Sequence, residues 1–277
     1  MNATPSVRGA IEASGLVPVD ARVLLAHVLG CDRAWLVAHG GDPLTRDQAH
    51  AFFALAKRRR DGEPVAYLTG RREFWGLDLV VTPAVLIPRP ETETLVEAVL
   101  ARLPADARVR VLDLGTGSGA IALAIAKERP LAQVTATDVS PEALDVARGN
   151  AARLGLGNAT FVRSDWYAGA PDGPYDAIVA NPPYIDPADP HLVQGDLRFE
   201  PRGALTPGST GLSALAAIVA GASGRLAPGG LLAVEHGFDQ GERVRALFGD
   251  AGFVAVEAFR DLAGVWRVVA GRSPATA

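Results

Sequence analysis

The most informative part of this sequence is the stretch Val111-Leu112-Asp113-Leu114-Gly115-Thr116-Gly117-Ser118-Gly119. Its apolar half predicts a buried strand, and its three alternate glycines predict a tight loop that opens a helix. Glycines let the backbone approach a ligand closely, and open α/β sheets bind ligands at the carboxyl ends of their strands. The stretch therefore predicts a ligand-binding loop, with a plain tight turn as the alternative.

The glycine spacing and the acid before it indicate the kind of ligand. A dinucleotide loop has the form GxGxxG and wraps a pyrophosphate at a helix amino terminus. Here the spacing is Gly115-x-Gly117-x-Gly119, and Asp113 lies two positions before the first glycine. Its carboxylate would repel a pyrophosphate but could engage the amino group of a methionine moiety. The pattern favours S-adenosylmethionine over NAD, and a nicotinamide oxidoreductase stays as a rival.

Strand and helix patterns alternate after residue 108, which predicts a doubly wound α/β fold. Two strand-like runs with a short connection end the chain, so one edge of the sheet is antiparallel and the sheet is mixed. Ser140 can cap the helix 141–154, and Pro141 suits its first position. The predicted strands are 109–114, 134–138, 160–162, 175–179, 231–234, 254–259 and 265–269, and other helices are predicted at 121–128 and 211–226.

The sequence before this region has helical periodicity. Asp20 is a candidate cap for a helix closed by Gly30, and Thr45 and Gln48 have capping-box spacing. From Phe74 the pattern changes to strands around a turn, followed by a proline-rich segment. We therefore expect a helical domain at 1–72, a β-hairpin linker at 73–90 and the α/β domain at 91–277.

Composition excludes several classes of protein. The 277 residues are 48% hydrophobic and 21% charged, which excludes a disordered chain. A net charge of −4 provides no general attraction for nucleic acid. The single cysteine, Cys31, excludes a disulfide framework and a multi-cysteine metal site. Because neither a secretion signal nor a membrane-spanning stretch is visible, we expect a cytoplasmic protein without membrane contact.

Acidic residues end the two strands that follow the glycine loop. Asp138 closes the strand 134–138, where a carboxylate can accept hydrogen bonds from both hydroxyls of a ribose. Asp165-Trp166 follows the next strand, so the carboxylate can accept from an adenine amine and the indole can pack on the ring. The alternative for this pair is a capping aspartate beside a core tryptophan.

The tetrapeptide Asn181-Pro182-Pro183-Tyr184 carries the clearest chemistry. Two prolines after an asparagine impose a rigid, extended backbone without amide donors, so the loop offers the Asn181 side-chain oxygen and the Pro182 carbonyl as acceptors. A planar –NH2 group would dock there, with Tyr184 available to stack on it. Acceptors bonded to both hydrogens would direct the nitrogen lone pair toward an incoming methyl group. The alternative is an ordinary proline turn.

On these residues the chain resembles the PrmC/HemK family of release-factor glutamine methyltransferases. The Asn-Pro-Pro-Tyr loop alone also occurs in DNA adenine methyltransferases and some RNA enzymes, but its combination with residues 88–93 and a helical amino-terminal domain is far more specific. The likeness covers nearly the whole chain and includes Pro64-Val65-Ala66-Tyr67-Leu68-Thr69-Gly70, Phe74, Leu86-Ile87-Pro88-Arg89-Pro90-Glu91-Thr92-Glu93, Glu200-Pro201-Arg202-Gly203-Ala204-Leu205, Glu235-His236-Gly237 and Gln240.

The resemblance implies a Rossmann-like class I methyltransferase domain with a mixed seven-stranded sheet. Its implied activity is transfer of a methyl group from S-adenosylmethionine, leaving S-adenosylhomocysteine, to the glutamine of a Gly-Gly-Gln motif in class 1 peptide-release factors. No metal and no direct nucleic-acid contact are implied, and we expect a monomer. The implied cofactor residues are Gly115, Thr116, Gly117, Ser118, Gly119, Asp138, Asp165, Trp166 and Asn181; Asn181, Pro182, Pro183 and Tyr184 would hold the glutamine amide, with Asn181, Pro182 and Tyr184 as catalytic residues.

Two further rivals remain open at this point. A DNA or RNA exocyclic-amine methyltransferase would use the same acceptor loop but needs a basic or base-flipping region. A cofactor-binding interaction protein without catalysis would have no reason to retain that loop. Among other residues, His191 and His236 are expected at the surface or hydrogen-bonded, with a position near the site as the alternative, and Trp266 is expected in the core.

Overall fold

Residues 4–275, which the computed structural model describes, divide between Arg71 and Arg72 into a helical unit and an α/β unit. The core of the helical unit contains the fully buried side chains of Leu24 and Phe52. Its α-helices are α1 (Val7–Ala13), α2 (Pro18–Leu29), α3 (Arg33–Ala38), α4 (Arg46–Arg60) and α5 (Val65–Thr69).

The ends of α2 and α4 show which local signals shape the helical unit. Thr45 and Gln48 form the predicted capping box at the start of α4. Asp20 is not the cap of α2, because a proline at the first helical position starts the helix earlier and makes Val17 the capping residue. Asp20 instead accepts a hydrogen bond from Arg59 Nε at 2.7 Å. This contact ties α2 to the end of α4.

A hairpin of β1 (Arg71–Phe74) and β2 (Leu77–Val80) starts at the boundary of the two units, and a larger sheet follows it in the α/β unit. The strands of that sheet are β3 (Arg110–Leu114), β4 (Gln133–Asp138), β5 (Ala159–Arg163), β6 (Tyr175–Ala180), β7 (Leu226–Glu235), β8 (Val254–Arg260) and β9 (Trp266–Arg272). The α-helices of the unit are α6 (Glu93–Leu100), α7 (Ala120–Glu128), α8 (Pro141–Leu154), α9 (Arg202–Leu205), α10 (Ser213–Ala222) and α11 (Gly241–Asp250).

The larger sheet has seven strands in the order β5-β4-β3-β6-β7-β9-β8. Strands β3 to β7 are parallel, and β9 is antiparallel to both β7 and β8. The predicted fold class, a mixed seven-stranded α/β sheet with a helical amino-terminal region, is confirmed. Because the chain leaves β3 toward β4 on one side and returns to β6 on the other, a crevice opens at the carboxyl ends of β3 and β6.

The sheet is buried on both faces. Val111 belongs to a core that includes Leu95 of α6 and side chains of α7. Its neighbour Leu112 belongs to the opposite core, which includes Leu215 of α10 and Phe248 of α11. This alternation along β3 follows from the two-residue period of a strand, and the continuous apolar run is typical of a central parallel strand.

Two predictions in this unit are wrong. The helix expected at 211–226 spans only Ser213–Ala222, because β7 already begins at Leu226. Trp266 is not a core residue: it is 42% exposed, with the Arg260 guanidinium 4.1 Å from its ring centroid. The reason is that β7 pairs with β9 only from Val268 onward, so Trp266 lies beside the edge strand alone.

Within the described residues, the structure has no helix that combines the length and the apolar character needed to cross a membrane.

Candidate active site

The loop between β3 and α7 depends on its glycines. Gly115, Gly117 and Gly119 have φ angles of 73°, 54° and 86°, a conformation that glycine adopts without strain. A Cβ on Gly119 would also come within 3.1 Å of Leu123 Cδ1, so this glycine permits close packing at the start of α7. A Cβ on Gly117 would meet no atom within 4 Å, which leaves open space beside the loop.

Asp113 is hydrogen-bonded to a residue of this loop. Its side chain is fully buried, and Oδ2 accepts a hydrogen bond from Thr116 Oγ1 at 2.6 Å. Burial raises the pKa of the Asp113 carboxyl to about 7, although the bond from Thr116 opposes the shift. Asp113 is not among the residues that line the neighbouring cavity, and its Oδ1 has no hydrogen-bond partner among the described residues. The expected contact of Asp113 with a ligand amino group stays a prediction.

Asp138 lies at the carboxyl end of β4 and holds two backbone amides. Its Oδ2 accepts from the Gly117 amide at 2.9 Å, and its Oδ1 accepts from the Ser140 amide at 3.0 Å. Each carboxylate oxygen can accept a further hydrogen bond. The residue therefore shapes the glycine loop and offers acceptors to a ligand at the same time.

The segment after β5 places an indole against the glycine loop. Trp166 has a φ of 46°, which is unusual for a residue other than glycine. Ser164 Oγ stabilises this turn, since it donates to the Trp166 carbonyl at 2.6 Å and accepts from the Gly169 amide at 2.9 Å. A Cβ on Gly115 would lie 3.6 Å from the Trp166 ring. The half-buried ring also packs against the core, and its expected contact with an adenine ring stays a prediction.

These residues line one cavity of about 270 Å³. Of the predicted cofactor residues, only Gly119 is absent from its wall, because that glycine caps α7. The wall contains Ala84, Val85, Leu86, Pro88, Arg89, Thr92, Gly115, Thr116, Gly117, Ser118, Ala120, Ile121, Asp138, Val139, Ser140, Ala143, Ser164, Asp165, Trp166, Asn181, Pro183, Pro201, Gly203 and Ala204.

The loop after β6 is held at both ends by side chains from elsewhere in the unit. Asn181 Nδ2 donates to Thr92 Oγ1 at 3.1 Å, so the amide nitrogen of Asn181 is used and its Oδ1 is not. Gln240 Nε2 donates to the Tyr184 carbonyl at 2.9 Å. Pro182 between them is buried and has no amide hydrogen. The loop is therefore rigid, as its sequence predicts.

A second cavity of about 220 Å³ lies on the other side of this loop. Of these two cavities, Pro183 lines the first, whereas Pro182 and Tyr184 line the second. Asn181 lines both cavities, as do Leu86, Arg89 and Ala204. The wall of the second cavity contains Leu86, Arg89, Glu91, Asn181, Pro182, Tyr184, Ile185, Leu197, Ala204, Leu205, Glu235 and Arg267.

Glu235 is a buried carboxyl group in the second cavity, with 1% of its surface exposed. Tyr184 Oη donates to Glu235 Oε1 at 3.0 Å, and Oε2 has no partner in normal hydrogen-bond geometry. Burial raises the Glu235 pKa to about 7, against the opposing effects of the Thr92 and Tyr184 hydroxyls and of Arg267. Burial also raises the pKa of Tyr184. The Tyr184 hydroxyl is thus protonated and committed to Glu235.

An ion pair joins two segments that line both cavities. Arg89 forms a salt bridge with Glu200, whose side chain is fully buried, and Glu200 Oε2 accepts from the Ile87 amide at 3.0 Å. Sequence reasoning named these residues within motifs but did not pair them. It also assigned no role to Thr92, Glu235 or Arg267. Thr92 and Glu235 lie in segments that carry the family likeness, where Thr92 precedes a helix and Glu235 ends an apolar strand, whereas Arg267 has no such signal.

The two histidines considered earlier stand outside both cavities. His236 is fully buried, its Nδ1 lies 2.8 Å from the Gly237 carbonyl oxygen, and burial lowers its pKa. His191 is exposed beside Asp189. Their expected positions, at the surface or hydrogen-bonded, are confirmed.

Comparison with known proteins adds to this geometry. Two family models match the chain: the PrmC N-terminal domain matches residues 10–70, and the methyltransferase small domain matches residues 91–196. A structure described as a methyltransferase from Pyrococcus furiosus is 20% identical, covers 79% of this chain and 97% of its own, and has a TM-score of 0.55. At that identity the likeness supports the fold alone.

Two curated relatives are much closer in sequence. The release factor glutamine methyltransferase of Xylella fastidiosa (strain Temecula1) is 56% identical over 256 residues, covering 92% of this chain and 93% of its own. The protein of the same name from Escherichia coli (strain K12) is 48% identical over 262 residues, covering 95% of this chain and 94% of its own.

Proposed function

Because the chain belongs to the family of release factor glutamine methyltransferases, we propose that it methylates the glutamine amide of the Gly-Gly-Gln motif in class 1 peptide-release factors. As a member of this family it is a protein-glutamine methyltransferase. The observation that carries the finer proposal is that the acceptor side chain of Asn181 lines both cavities. One cavity would hold the methyl donor and the other the glutamine, so that the reacting atoms meet at one side chain.

The residues of the first cavity fit S-adenosylmethionine, which when bound supplies an electrophilic methyl group on a sulfonium. Asp138 has acceptor capacity left for ribose hydroxyls after binding its two backbone amides. Gly117 leaves space at the loop, and Trp166 offers an indole edge or face to an adenine ring. The exposed carboxylate of Asp165 can accept from the adenine amine.

The residues around Asn181 fit a planar amide. Since Nδ2 of Asn181 is committed to Thr92, Oδ1 remains to accept one hydrogen of the substrate amide, and the Pro182 carbonyl can accept the other. Both bonds would hold the nitrogen lone pair toward the methyl donor and strengthen as the nitrogen becomes positive. Alignment of reacting groups can contribute about 7–11 kcal/mol to the barrier reduction. The proton can leave afterwards, because the methylated nitrogen has become acidic.

The stacking role expected for Tyr184 is kept in this proposal. Its hydroxyl is bonded to Glu235, so the ring is held in one orientation on the wall of the second cavity. An aromatic face so fixed can pack against the flat glutamine amide. In the proposal Pro183 completes the cofactor side of the same loop.

The division of labour along the chain is also part of the proposal. Residues 1–72 would recognise the release factor, 73–90 would act as a β-hairpin linker and 91–277 would carry out the transfer. A glutamine amide is small and common, so selectivity needs a surface beyond the pocket. The helical unit has a core of its own and matches the PrmC N-terminal domain, which supports this role. We propose a cytoplasmic monomer without direct nucleic-acid contact.

The alternative, methylation of a DNA or RNA exocyclic amine by the same loop, has less support. The net charge is −4, and the curated relatives described above share a name that specifies a protein substrate.

The direct test is incubation with labelled S-adenosylmethionine and a bacterial class 1 release factor, followed by mass mapping of the labelled peptide. We expect one methyl group on the glutamine of Gly-Gly-Gln. A release factor with that glutamine changed to alanine is the matched control and should remain unlabelled. Label on another residue, or on tRNA or DNA included in the same assay, would refute the proposed substrate.

A further inference from the structure

Thr92 links the acceptor loop to a buried carboxylate. It is 4% exposed and accepts a hydrogen bond from Asn181 Nδ2 at 3.1 Å. A hydroxyl has one hydrogen of its own, which must point away from a group that is donating to its oxygen. The direction of that single hydrogen therefore decides whether Thr92 presents a lone pair or a proton to Asn181.

Glu235 has a buried carboxylate oxygen that is able to receive this hydrogen. Its carboxylate accepts from Tyr184 Oη at 3.0 Å, and its Oε2 is buried without a partner in normal hydrogen-bond geometry. The Thr92 hydroxyl faces the same carboxylate and stabilises its ionised form. An ionised carboxylate can only accept, so it draws the Thr92 hydrogen toward itself and leaves a lone pair for Asn181.

We propose that Glu235 is a positioning residue that acts through Thr92 to keep the Asn181 amide in one orientation, with Nδ2 toward Thr92 and Oδ1 toward the substrate amide. The inference rests on the proposed function, because Oδ1 is the atom assigned to hold the glutamine amide. The two ends of an asparagine amide have nearly the same shape, so packing alone does not select between them. A directional hydrogen bond with a neighbouring residue can select one of the two orientations.

Protonation of Glu235 would reverse the direction of the Thr92 hydrogen and with it the orientation of the Asn181 amide. A neutral carboxyl group is itself a donor, so the Thr92 hydrogen becomes free to turn toward Asn181. The Asn181 amide then rotates to accept it with Oδ1 and presents its NH2 group to the substrate NH2 group. Two donors facing each other cannot bond, and the glutamine amide is no longer held for transfer.

The charged and titratable groups around Glu235 bring the protonation of its carboxyl group close to neutral pH. Arg267 on β9 favours the ionised form, whereas burial and Glu91, just before α6, favour the neutral form, and Tyr184 donates from the acceptor loop. Together they leave the Glu235 pKa at about 7. We therefore expect the turnover number to fall as the pH decreases below that value.

The test compares Glu235→Gln and Thr92→Val with the conservative control Thr92→Ser. In Glu235→Gln the new amide can donate to Thr92, as the protonated acid would, and Thr92→Val removes the link at similar volume. Thr92 makes no capping hydrogen bond to α6, so neither Thr92 variant removes a helix cap. Turnover is measured at saturating S-adenosylmethionine and release factor across the neutral pH range, with thermal unfolding and cofactor affinity measured in parallel.

We expect Glu235→Gln and Thr92→Val each to lower kcat by about 10- to 100-fold at pH 8, which is the scale of one lost charge-assisted hydrogen bond. Cofactor affinity should change far less than kcat, although Thr92 lines the first cavity. Thr92→Ser should keep both the wild-type rate and the acidic limb of the pH profile, whereas Glu235→Gln and Thr92→Val should lose that limb. Because both residues act through one chain of contacts, the double variant that combines Glu235→Gln with Thr92→Val should have a kcat no lower than that of Thr92→Val alone.

Three results would overturn the inference. One is wild-type turnover in Glu235→Gln, and another is an acidic limb that persists in Thr92→Val. The third is additive losses in the double variant, which would mean that Glu235 acts on the substrate or the fold independently of Thr92.

A readout without catalysis separates this inference from the proposed function. The side-chain NH2 resonance of Asn181, assigned by its loss in Asn181→Ala, should shift with the Glu235 titration in the wild type and stay constant in Glu235→Gln. A wild-type enzyme that leaves release factors unmethylated would refute the proposed function. The NMR titration would still decide the inference: a resonance that does not move with pH would refute it.

Discussion

Asp138 offers a sharp test of the cofactor site, because its two carboxylate oxygens have countable bonds. Each oxygen accepts one backbone amide, from Gly117 and Ser140, and keeps capacity for one ribose hydroxyl. Asp138→Ala removes all four. The two ribose bonds to a charged acceptor contribute roughly 1.5–3 kcal/mol each. Their loss alone therefore predicts a Kd for S-adenosylmethionine that is weaker by about 100-fold or more.

Asp138→Asn separates the two kinds of contact. One asparagine oxygen can still accept an amide and a hydroxyl, but its NH2 group faces the other backbone amide as a second donor. We expect a loss of about half the free energy found for Asp138→Ala, close to one charge-assisted bond.

Isothermal titration calorimetry with S-adenosylmethionine measures these losses, and Asp145→Asn is the matched control. Asp145 is an exposed carboxylate on α8 that forms a salt bridge with Arg148 and does not line the cavity. It should leave the Kd unchanged. An unchanged Kd in Asp138→Ala would remove the residue from the cofactor site. A loss in Asp138→Asn as large as in Asp138→Ala would refute the assignment of separate roles to the two oxygens.

Three further outcomes are expected. Asn181→Ala should lower kcat by about 100-fold or more, as for loss of a positioned transition-state partner, with a smaller effect on the cofactor Kd from calorimetry; equal losses in both would contradict its catalytic role. Burial raises the Asp113 pKa from 3.8 to about 7, so the stability that its protonation provides is lost as pH rises through that range. Asp113→Asn should therefore remove a slope of about 1.4 kcal/mol per pH unit from the unfolding free energy in urea, and an unchanged slope would contradict the burial argument. Arg89→Ala removes the ion-pair partner of the buried Glu200 carboxylate, so the free energy of unfolding measured by calorimetry should fall by about 3–5 kcal/mol. Glu200→Gln should cost less, because its amide oxygen can still accept from the Ile87 amide. A larger loss in Glu200→Gln than in Arg89→Ala would argue against the ion pair.

Much of the fold could be predicted because its signals are local. Apolar strands separated by helical patterns specify a parallel sheet, and the capping box at Thr45 starts α4 as its sequence indicates. The glycine loop and the two prolines after Asn181 also constrain their own backbones without help from distant residues. For that reason their positions at the carboxyl ends of β3 and β6 follow from the order of the motifs.

The errors occurred where burial depends on distant neighbours. An aromatic residue in a strand is usually buried, but Trp266 lies where only the edge strand pairs with β9. Asp113 shows a partner that the sequence did not predict, because its buried Oδ2 accepts a hydrogen bond from Thr116 Oγ1. Whether such a side chain meets a ligand or a neighbour depends on the packing around it.

The sequence by itself determined the sheet, the order of the loops and the chemistry of the Asn181–Tyr184 segment, because each of these depends on neighbouring residues in the chain. Only the tertiary structure decided which partners hold that segment. Thr92 is 89 positions from Asn181, and Glu235 is 51 positions from Tyr184. No periodicity or turn rule connects residues so far apart. Their hydrogen bonds exist because the sheet brings the ends of separate strands together at one edge and excludes the water that would otherwise satisfy them.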